Sequence, residues 1–308
     1  MSDILITEFM DEDAVTSLRD AFEVHYDPDL HESPAEIAVL CASPRALIVR
    51  NRTLVDTRLL DAAPHLVAIG RLGVGLDNID TDACAERGIS VYPATGANVV
   101  AVAEYVIAAI LIMLRGAFHA RDRMRAGHWP RNDLVGCEAS GKVLGIVGFG
   151  AIGRAVAERA NALGMEIVAF DPFLAANDDA WQGAHLRRVD SLPALLEVSD
   201  VISLHIPLTQ ATAHLIGAHE MAAMKPGAYL VNTARGGVID EKALIGALTS
   251  GRIGGATLDV FEDEPLTADS PLIEAPGLYL TPHIAGLTCE AGVRVGSLIA
   301  KRIRGALA

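Results

Sequence analysis

The sequence predicts an α/β protein built from two doubly wound parallel sheets. Short β-type runs alternate with helical stretches along almost the whole chain, and this pattern is typical of parallel sheets covered by helices on both faces. The alternation comes in two series, separated by a long apolar segment that begins near Asn98. The chain has 308 residues, which suits about two domains at roughly 150 residues each.

The first series contains five predicted strands with helices between them. The strands are short runs rich in aliphatic, β-branched and aromatic residues, namely ILITEF, FEVHY, ALIVR, LVAIG and ISVY. The helices are predicted at Asp11–Asp20, Ser33–Leu40, Thr57–Ala63 and Thr81–Arg87. Strands that alternate with helices in this way favour a parallel sheet over a meander of hairpins.

A long helix is predicted from Asn98 to about Met124. Its Val99–Leu114 part is almost wholly apolar but contains Glu104, and it is shorter than the roughly 20 residues that a membrane span needs. Burial inside the protein or at a subunit contact is therefore favoured, and no membrane association is expected.

The second series contains six predicted strands, VLGIV, EIVAF, VISLH, YLVN, ATLDV and LYL. Helices are predicted between them at Ile152–Leu163, Leu192–Val198, His219–Met224 and Lys242–Thr249. One more helix, Thr288–Leu307, follows the last strand. The chain thus contains two similar α/β series.

Charge and cysteine usage exclude several classes of function. The formal net charge is −14, so binding to nucleic acid is not expected. None of the four cysteines forms a CxxC pair or has zinc-ligand spacing, so no metal site is predicted. The N-terminus lacks the basic and apolar regions of a secretion signal. A cytoplasmic protein with reduced thiols is the expectation.

The segment LGIVGFGAIG carries the pattern G-x-G-x-x-G between a strand and a helix. Gly148 is expected to make the tight turn, Gly150 to let the backbone approach a pyrophosphate, and Gly153 to let the helix pack on the strand. Ala151 and Ile152 lie in the same loop. Free N–H groups at the helix start would hold the phosphates, so a dinucleotide site is predicted.

Asp171 follows the next strand, 18 residues beyond Gly153. This spacing is close to that of the acidic residue that accepts hydrogen bonds from the adenosine ribose hydroxyls. A carboxylate there repels the 2′-phosphate of NADP, so NAD is the predicted cofactor; the alternative is a structural turn before Pro172. Arg187 and Arg188 are distant in sequence and are not obvious partners for a 2′-phosphate.

Three later segments place polar residues where strands end, which is where open α/β sheets bind ligands. They contribute Arg235 in NTARGG, Glu264 in LDVFEDEP and His283 in TPHIAG. Oxidation of a 2-hydroxy acid needs a group that takes the hydroxyl proton, and histidine suits this. A carboxylate can orient the histidine, and an arginine can hold the substrate carboxylate. Spacing alone does not show that the three residues meet.

Taken together, GFGAIG, Asp171, NTARGG, LDVFEDEP and TPHIAG closely resemble the D-isomer-specific 2-hydroxyacid dehydrogenase family. The resemblance covers almost the whole chain. It implies two Rossmann-like domains with an active-site cleft between them, a substrate domain of about 1–97 plus 286–308, and an NAD domain of about 98–285. It also implies an enzyme that is a homodimer, paired through the helix that begins at Asn98.

In that family the residues matching Arg235, Glu264 and His283 are the catalytic set. Arg235 would bind and polarise the substrate, Glu264 would orient His283, and His283 would be the acid/base. Further matches are cofactor contacts, at Ile206, Thr233, Ala234, Asp259 and Gly286.

The turn RLGVGLDNID offers exposed N–H groups for a carboxylate, and the family uses the matching turn in this way. Val74 and Gly75 are therefore candidate substrate residues, together with Arg50, Asn51 and Arg131. Arg50 and Arg131 match basic positions that meet the distal phosphate in 3-phosphoglycerate dehydrogenases.

These matches favour a small anionic 2-hydroxy or 2-keto acid as the substrate. A 3-phosphoglycerate-like molecule is the leading candidate. Hydroxypyruvate, glyoxylate and sulfolactate stay open as substrates. A non-catalytic NAD-sensing protein that resembles the corepressors of this fold is the alternative from another class.

Overall fold

The computed structural model describes residues 2–116, 120–182 and 186–308. The chain divides into two compact units. The first unit is Met1–Asn98 with Leu287–Ala308, and the second is Val99–Gly286. Each border falls one residue later than the sequence-based expectation.

The first unit has a five-stranded sheet in the order β2-β1-β3-β4-β5. Its strands are β1 (Ile4–Ile6), β2 (Val24–Tyr26), β3 (Ala46–Val49), β4 (Ala68–Arg71) and β5 (Ser90–Pro93). Its α-helices are α1 (Glu12–Arg19), α2 (Pro34–Leu40), α3 (Thr57–Asp61), α4 (Thr81–Glu86) and, at the end of the chain, α11 (Cys289–Leu307).

Both faces of this sheet are buried, which explains why its central strands are continuously apolar. Ile4 and Ile6 belong to one hydrophobic cluster and Leu5 to the cluster on the other face. On the first face α11 lies close to β4, because Gly70 has no side chain; a Cβ there would be 2.5 Å from Ile299. Glycine at this position thus permits the close packing of helix on strand.

The second unit has a seven-stranded sheet in the order β12-β11-β10-β9-β6-β7-β8. Its strands are β6 (Val143–Val147), β7 (Glu166–Phe170), β8 (Leu186–Arg188), β9 (Val201–Leu204), β10 (Tyr229–Asn232), β11 (Gly255–Leu258) and β12 (Leu278–Leu280). Its α-helices are α5 (Val99–Arg115), α6 (Ala120–Arg125), α7 (Ala151–Ala162), α8 (Leu192–Leu196), α9 (Ala218–Ala223) and α10 (Glu241–Thr249).

Every strand pairing among the described residues is parallel. The predicted fold class, two Rossmann-like doubly wound sheets, is confirmed. The strand order reverses direction between β1 and β3 in the first unit and between β6 and β9 in the second. Open α/β sheets bind ligands at the carboxyl ends of such strand pairs.

Two elements differ from the sequence-based expectation. The helix predicted over 98–124 ends at Arg115, because Gly116 takes a left-handed conformation with φ of 58°. A second helix begins at Ala120, and residues 117–119 lie outside the described part of the chain. Strand β8 was not predicted, since its three residues LRR carry no apolar pattern. No helix in the described ranges has the length and apolar content to cross a bilayer.

Candidate active site

In the glycine loop that follows β6, steric crowding requires glycine at the first and last positions of the pattern, Gly148 and Gly153. A Cβ on Gly148, whose φ is 90°, would lie 2.4 Å from the carbonyl oxygen of His205. A Cβ on Gly153 would lie 2.3 Å from the carbonyl oxygen of Gly148. Ile206 also lies against this loop, since its Cγ2 would be 2.8 Å from a Cβ on Gly148.

Gly150 faces open space, with no atom within 4 Å of the place that a Cβ would take. It is the N-cap residue of α7 and provides no side-chain oxygen for the free N–H groups of the first turn, which includes Ala151 and Ile152. A helix start that is open and uncapped suits a bound phosphate. The loop therefore fits the pyrophosphate of a dinucleotide.

Asp171 lies beside the glycine loop at the end of the neighbouring strand β7. One of its oxygens accepts the Phe149 N–H at 2.9 Å, and the other accepts the Phe173 N–H at 2.9 Å. Each carboxylate oxygen has two lone pairs, so both can still accept a ribose hydroxyl. The hydrogen bond to Phe149 joins the predicted ribose residue to the predicted phosphate loop.

An aromatic stack supports this loop from the side of β8. The rings of Phe149 and Trp181 are parallel within 4°, with centroids 5.1 Å apart, and the Arg188 guanidinium lies 5.7 Å from the Trp181 ring. Arg188 is aligned with Ala169 across the β7–β8 pair and forms an ion pair with Asp190 at 2.7 Å. Strand β8, which was not predicted, thus places Arg188 on the strand next to β7, where its guanidinium is paired with Asp190.

His205 is partly buried where β9 ends, next to Gly148. Burial lowers its pKa to about 4, so the imidazole is neutral near pH 7. Its Nε2 lies 2.9 Å from the Ser203 hydroxyl. A neutral, hydrogen-bonded imidazole here fits a structural role beside the glycine loop.

Arg235 stands in a tight turn after β10 that Asn232 holds together. The Asn232 side chain accepts the Ala234 N–H at 3.0 Å and donates to the Arg235 carbonyl at 2.8 Å. Asn232 is buried, and no pattern in the sequence marks it as a site residue. The neighbouring Thr233 hydroxyl is also buried and has no hydrogen-bond partner among the described residues, which suits the predicted cofactor contact at this position.

Glu264 and His283 form a direct pair, although they are 19 residues apart in the chain. His283 Nδ1 lies 2.8 Å from a Glu264 carboxylate oxygen, and the other Glu264 oxygen accepts the Phe261 N–H at 3.1 Å. Burial alone would raise the pKa of Glu264, but the hydrogen bond and charge of His283, together with Phe261 and the charge of Arg235, hold it below its ordinary value. The structure thus pairs Glu264 directly with His283 and brings Arg235 near enough for its charge to act on Glu264.

The backbone around His283 is fixed by Asp259. One Asp259 oxygen accepts the Thr281 hydroxyl at 2.6 Å and the Ile284 N–H at 2.8 Å, and the other accepts the Ala285 N–H at 2.8 Å. Thr281 is in turn hydrogen-bonded to Tyr105 of α5. His283 has a φ of 56°, which is uncommon for a residue with a side chain. Asp259 therefore holds the loop on both sides of His283, up to the residue before Gly286. This structural role is separate from the cofactor contact predicted for Asp259.

The predicted substrate residues lie in different parts of the chain. In the first unit, Arg50 and Asn51 follow β3, while Val74 and Gly75 follow β4. Arg131 belongs to the second unit, where it lies in an exposed turn after α6. No hydrogen bond or ion pair between described residues joins Arg131 to the Glu264–His283 pair.

A family model for the NAD-binding domain of D-isomer specific 2-hydroxyacid dehydrogenases matches residues 107–285. Along its whole length, the chain is 52% identical to an (S)-sulfolactate dehydrogenase of Chromohalobacter salexigens and covers 99% of that protein. It is 39% identical, over 97% of its residues, to a D-3-phosphoglycerate dehydrogenase of Archaeoglobus fulgidus, of which it spans 56%.

Among solved structures, the chain is similar to a D-lactate dehydrogenase of Aquifex aeolicus in complex with NAD and lactic acid. The TM-score is 0.85 at 30% identity, and the match covers 99% of this chain and 95% of the other. The similarity thus extends over both units.

Proposed function

Because this chain belongs to the D-isomer specific 2-hydroxyacid dehydrogenase family and is an NAD-dependent oxidoreductase, we propose that it interconverts (S)-sulfolactate and sulfopyruvate. The observation that supports this substrate is the 52% identity with a sulfolactate dehydrogenase over the full length of both chains. The (S) label agrees with D-isomer specificity. The sulfonated carbon outranks the carboxylate in the naming rules, so (S)-sulfolactate has the spatial arrangement of D-lactate.

The proposed chemistry rests on three side chains of the second unit. In the reduction direction His283 donates a proton to the carbonyl oxygen of the keto acid, and in the oxidation direction it takes the hydroxyl proton. Glu264, at 2.8 Å, fixes the ring and stabilises the imidazolium. Arg235 holds the substrate carboxylate through its planar fork. When bound, NAD⁺ would accept the hydride in the oxidation direction, and NADH would supply it in the reduction direction.

A 3-phosphoglycerate-type substrate is the second candidate. It is supported by the 39% identity with a phosphoglycerate dehydrogenase, although this chain spans 56% of that relative. Both candidate substrates carry a second anionic group at the far end from the carboxylate. Arg50 and Arg131, which match basic positions in 3-phosphoglycerate dehydrogenases, are separate candidates for contacting that group.

The deciding experiment is a kinetic assay of a panel of substrates, in which the absorbance of NADH reports the reaction. Sulfopyruvate, 3-phosphohydroxypyruvate, hydroxypyruvate, glyoxylate and pyruvate are reduced in turn, and (S)- and (R)-sulfolactate are oxidised. We expect the largest kcat/KM with sulfopyruvate and oxidation of the (S) isomer alone. A larger value with 3-phosphohydroxypyruvate would support the second candidate, and a preference for glyoxylate or hydroxypyruvate would reject both.

We expect the enzyme to prefer NADH over NADPH by about 100-fold in kcat/KM, because a 2′-phosphate beside Asp171 meets a charge repulsion of a few kcal/mol. Asp171→Ser should reduce this preference to near unity. Steady-state kinetics with both cofactors measure the ratio. Asp20→Ser, at the exposed C-cap of α1 in the first unit, is the matched control and should keep the preference of the unmodified protein; equal use of both cofactors by the unmodified protein would contradict the prediction.

We further propose a cytoplasmic homodimer. The four cysteines are free, which agrees with a reducing compartment. Large apolar side chains are exposed along α5, α6 and the segment after them, namely Val100, Met124, Trp129 and Val135, which are 43%, 49%, 76% and 81% exposed. Large exposed apolar side chains on neighbouring segments of the chain support a subunit contact there. Light scattering should give twice the 32.5 kDa chain mass; a monomer at micromolar concentration would reject the dimer.

A further inference from the structure

Glu8 is a buried acidic residue of the first unit that no sequence pattern marks as a candidate. Glu8 follows the end of β1 and is 2% exposed. Its carboxylate accepts the backbone N–H groups of four consecutive residues of the loop after β3. The distances are 2.8 Å from Arg50, 3.3 Å from Asn51, 3.1 Å from Arg52 and 3.0 Å from Thr53.

Two backbone carbonyl groups of the same loop are also held by hydrogen bonds. The Asn78 side chain donates to the Arg50 carbonyl at 3.3 Å and to the Thr53 carbonyl at 2.7 Å. The Thr53 hydroxyl forms a buried hydrogen bond of 2.8 Å with the Thr7 hydroxyl. Loop 50–53 is therefore fixed from the β1 side by Glu8 and Thr7, and from the β4 side by Asn78.

This loop stands where the first sheet reverses its strand order, between β1 and β3. Ligands bind at such places because the backbone N–H groups and side chains after both strands converge there. A row of N–H groups like that of Arg50–Thr53 would ordinarily attract an anionic ligand. Here Glu8 already occupies all four of them, so a substrate anion meets only the side chains of this loop.

The residue next to Glu8 restrains the Arg50 side chain. Arg50 donates to the Phe9 carbonyl at 3.3 Å, and its guanidinium lies 6.0 Å from the Phe9 ring centroid. Burial lowers the pKa of Arg50, and the charge of Glu8 acts in the opposite direction. Glu8 and Phe9 together thus fix both the backbone and the guanidinium of Arg50.

We propose that Glu8 is the positioning residue for recognition of the second anionic group of the substrate. It fixes loop 50–53 so that the Arg50 and Asn51 side chains are held in one arrangement, and it blocks the competing backbone site. The inference rests on the proposed function in one respect, namely that the substrate carries two anionic groups. It predicts that discrimination between dianionic and monoanionic keto acids depends on Glu8.

The test compares the unmodified protein with Glu8→Gln. Glutamine has one acceptor oxygen and presents an NH₂ group to the remaining N–H donors, so the loop loses its fixed arrangement. With sulfopyruvate, or with 3-phosphohydroxypyruvate if the panel favours it, KM should rise at least about tenfold. The KM for NADH and the kcat/KM for glyoxylate, which has one anionic group, should change less than about threefold.

A second variant and a control separate positioning from general stability. Asn78→Ala removes only the hydrogen bonds to the loop carbonyls and should raise the same KM without affecting glyoxylate. Asp3→Asn is the control, since Asp3 accepts the Glu23 N–H at the opposite end of β1; its kinetics should match the unmodified protein.

Equal losses for both keto acids and NADH in Glu8→Gln and Asn78→Ala, or an unchanged KM for the dianionic substrate, would overturn the proposal. Failure of the proposed function would give a different experimental result. In that case no dianionic keto acid is preferred by the unmodified protein in the first place.

Discussion

Replacement of His283 by alanine should lower kcat for keto-acid reduction by about 10²- to 10⁴-fold, the usual cost of losing a general acid. The structure supports this expectation because His283 is hydrogen-bonded to Glu264 at 2.8 Å and about one-third of its side chain is exposed. NADH affinity should stay nearly unchanged, since the residues that fit the dinucleotide are the glycine loop and Asp171. Stopped-flow reduction and NADH fluorescence titration measure the two quantities separately.

Glu264→Gln is the informative companion variant. Against the effect of burial, the hydrogen bond from His283 helps to hold the pKa of Glu264 below its ordinary value, so Glu264 is an ionised partner for the ring. Glutamine keeps a hydrogen-bonding oxygen but removes the charge that stabilises an imidazolium during the reaction. We expect kcat for keto-acid reduction to fall by about 10- to 100-fold, measured by stopped-flow reduction, with NADH affinity unchanged. Near-normal kcat in His283→Ala across the pH range would mean that another group is the acid.

The dinucleotide half of the candidate site could be predicted from the sequence because its constraints are local. Gly148 has a φ of 90° in the turn itself, Gly153 is required by the Gly148 carbonyl oxygen of the same loop, and Asp171 follows the adjacent strand at a regular spacing. A short pattern can encode such constraints. The same reasoning missed β8, since an edge strand of three residues with two arginines has no hydrophobic period.

The polar contacts that hold the site could not be predicted in this way. Glu8 accepts N–H groups from residues 42 to 45 positions away, and Asp259 accepts them from residues 25 and 26 positions away. A carboxylate that binds backbone groups imposes no side-chain type on its partners, so no sequence pattern marks the pair. Only the parallel strand order, which brings the ends of β1 and β3 together, reveals the contact of Glu8 with its loop.

Arg235→Lys should reduce kcat/KM for the keto acid by about 10²- to 10³-fold, the range seen when a preorganised donor to a reacting group is lost. Lysine keeps the positive charge but cannot make two parallel hydrogen bonds to a carboxylate. The turn itself should survive, because Asn232 binds only the backbone of Ala234 and Arg235.

Arg235→Ala separates the two contributions of the guanidinium. If the planar fork dominates, the lysine variant should behave more like the alanine variant than like the unmodified protein. Arg159→Lys on α7, whose guanidinium lies 4.0 Å from Glu104, is the control and should leave kcat/KM unchanged. A lysine variant with near-normal kcat/KM would show that charge alone is sufficient, and the proposed bidentate hold on the substrate carboxylate would then be wrong.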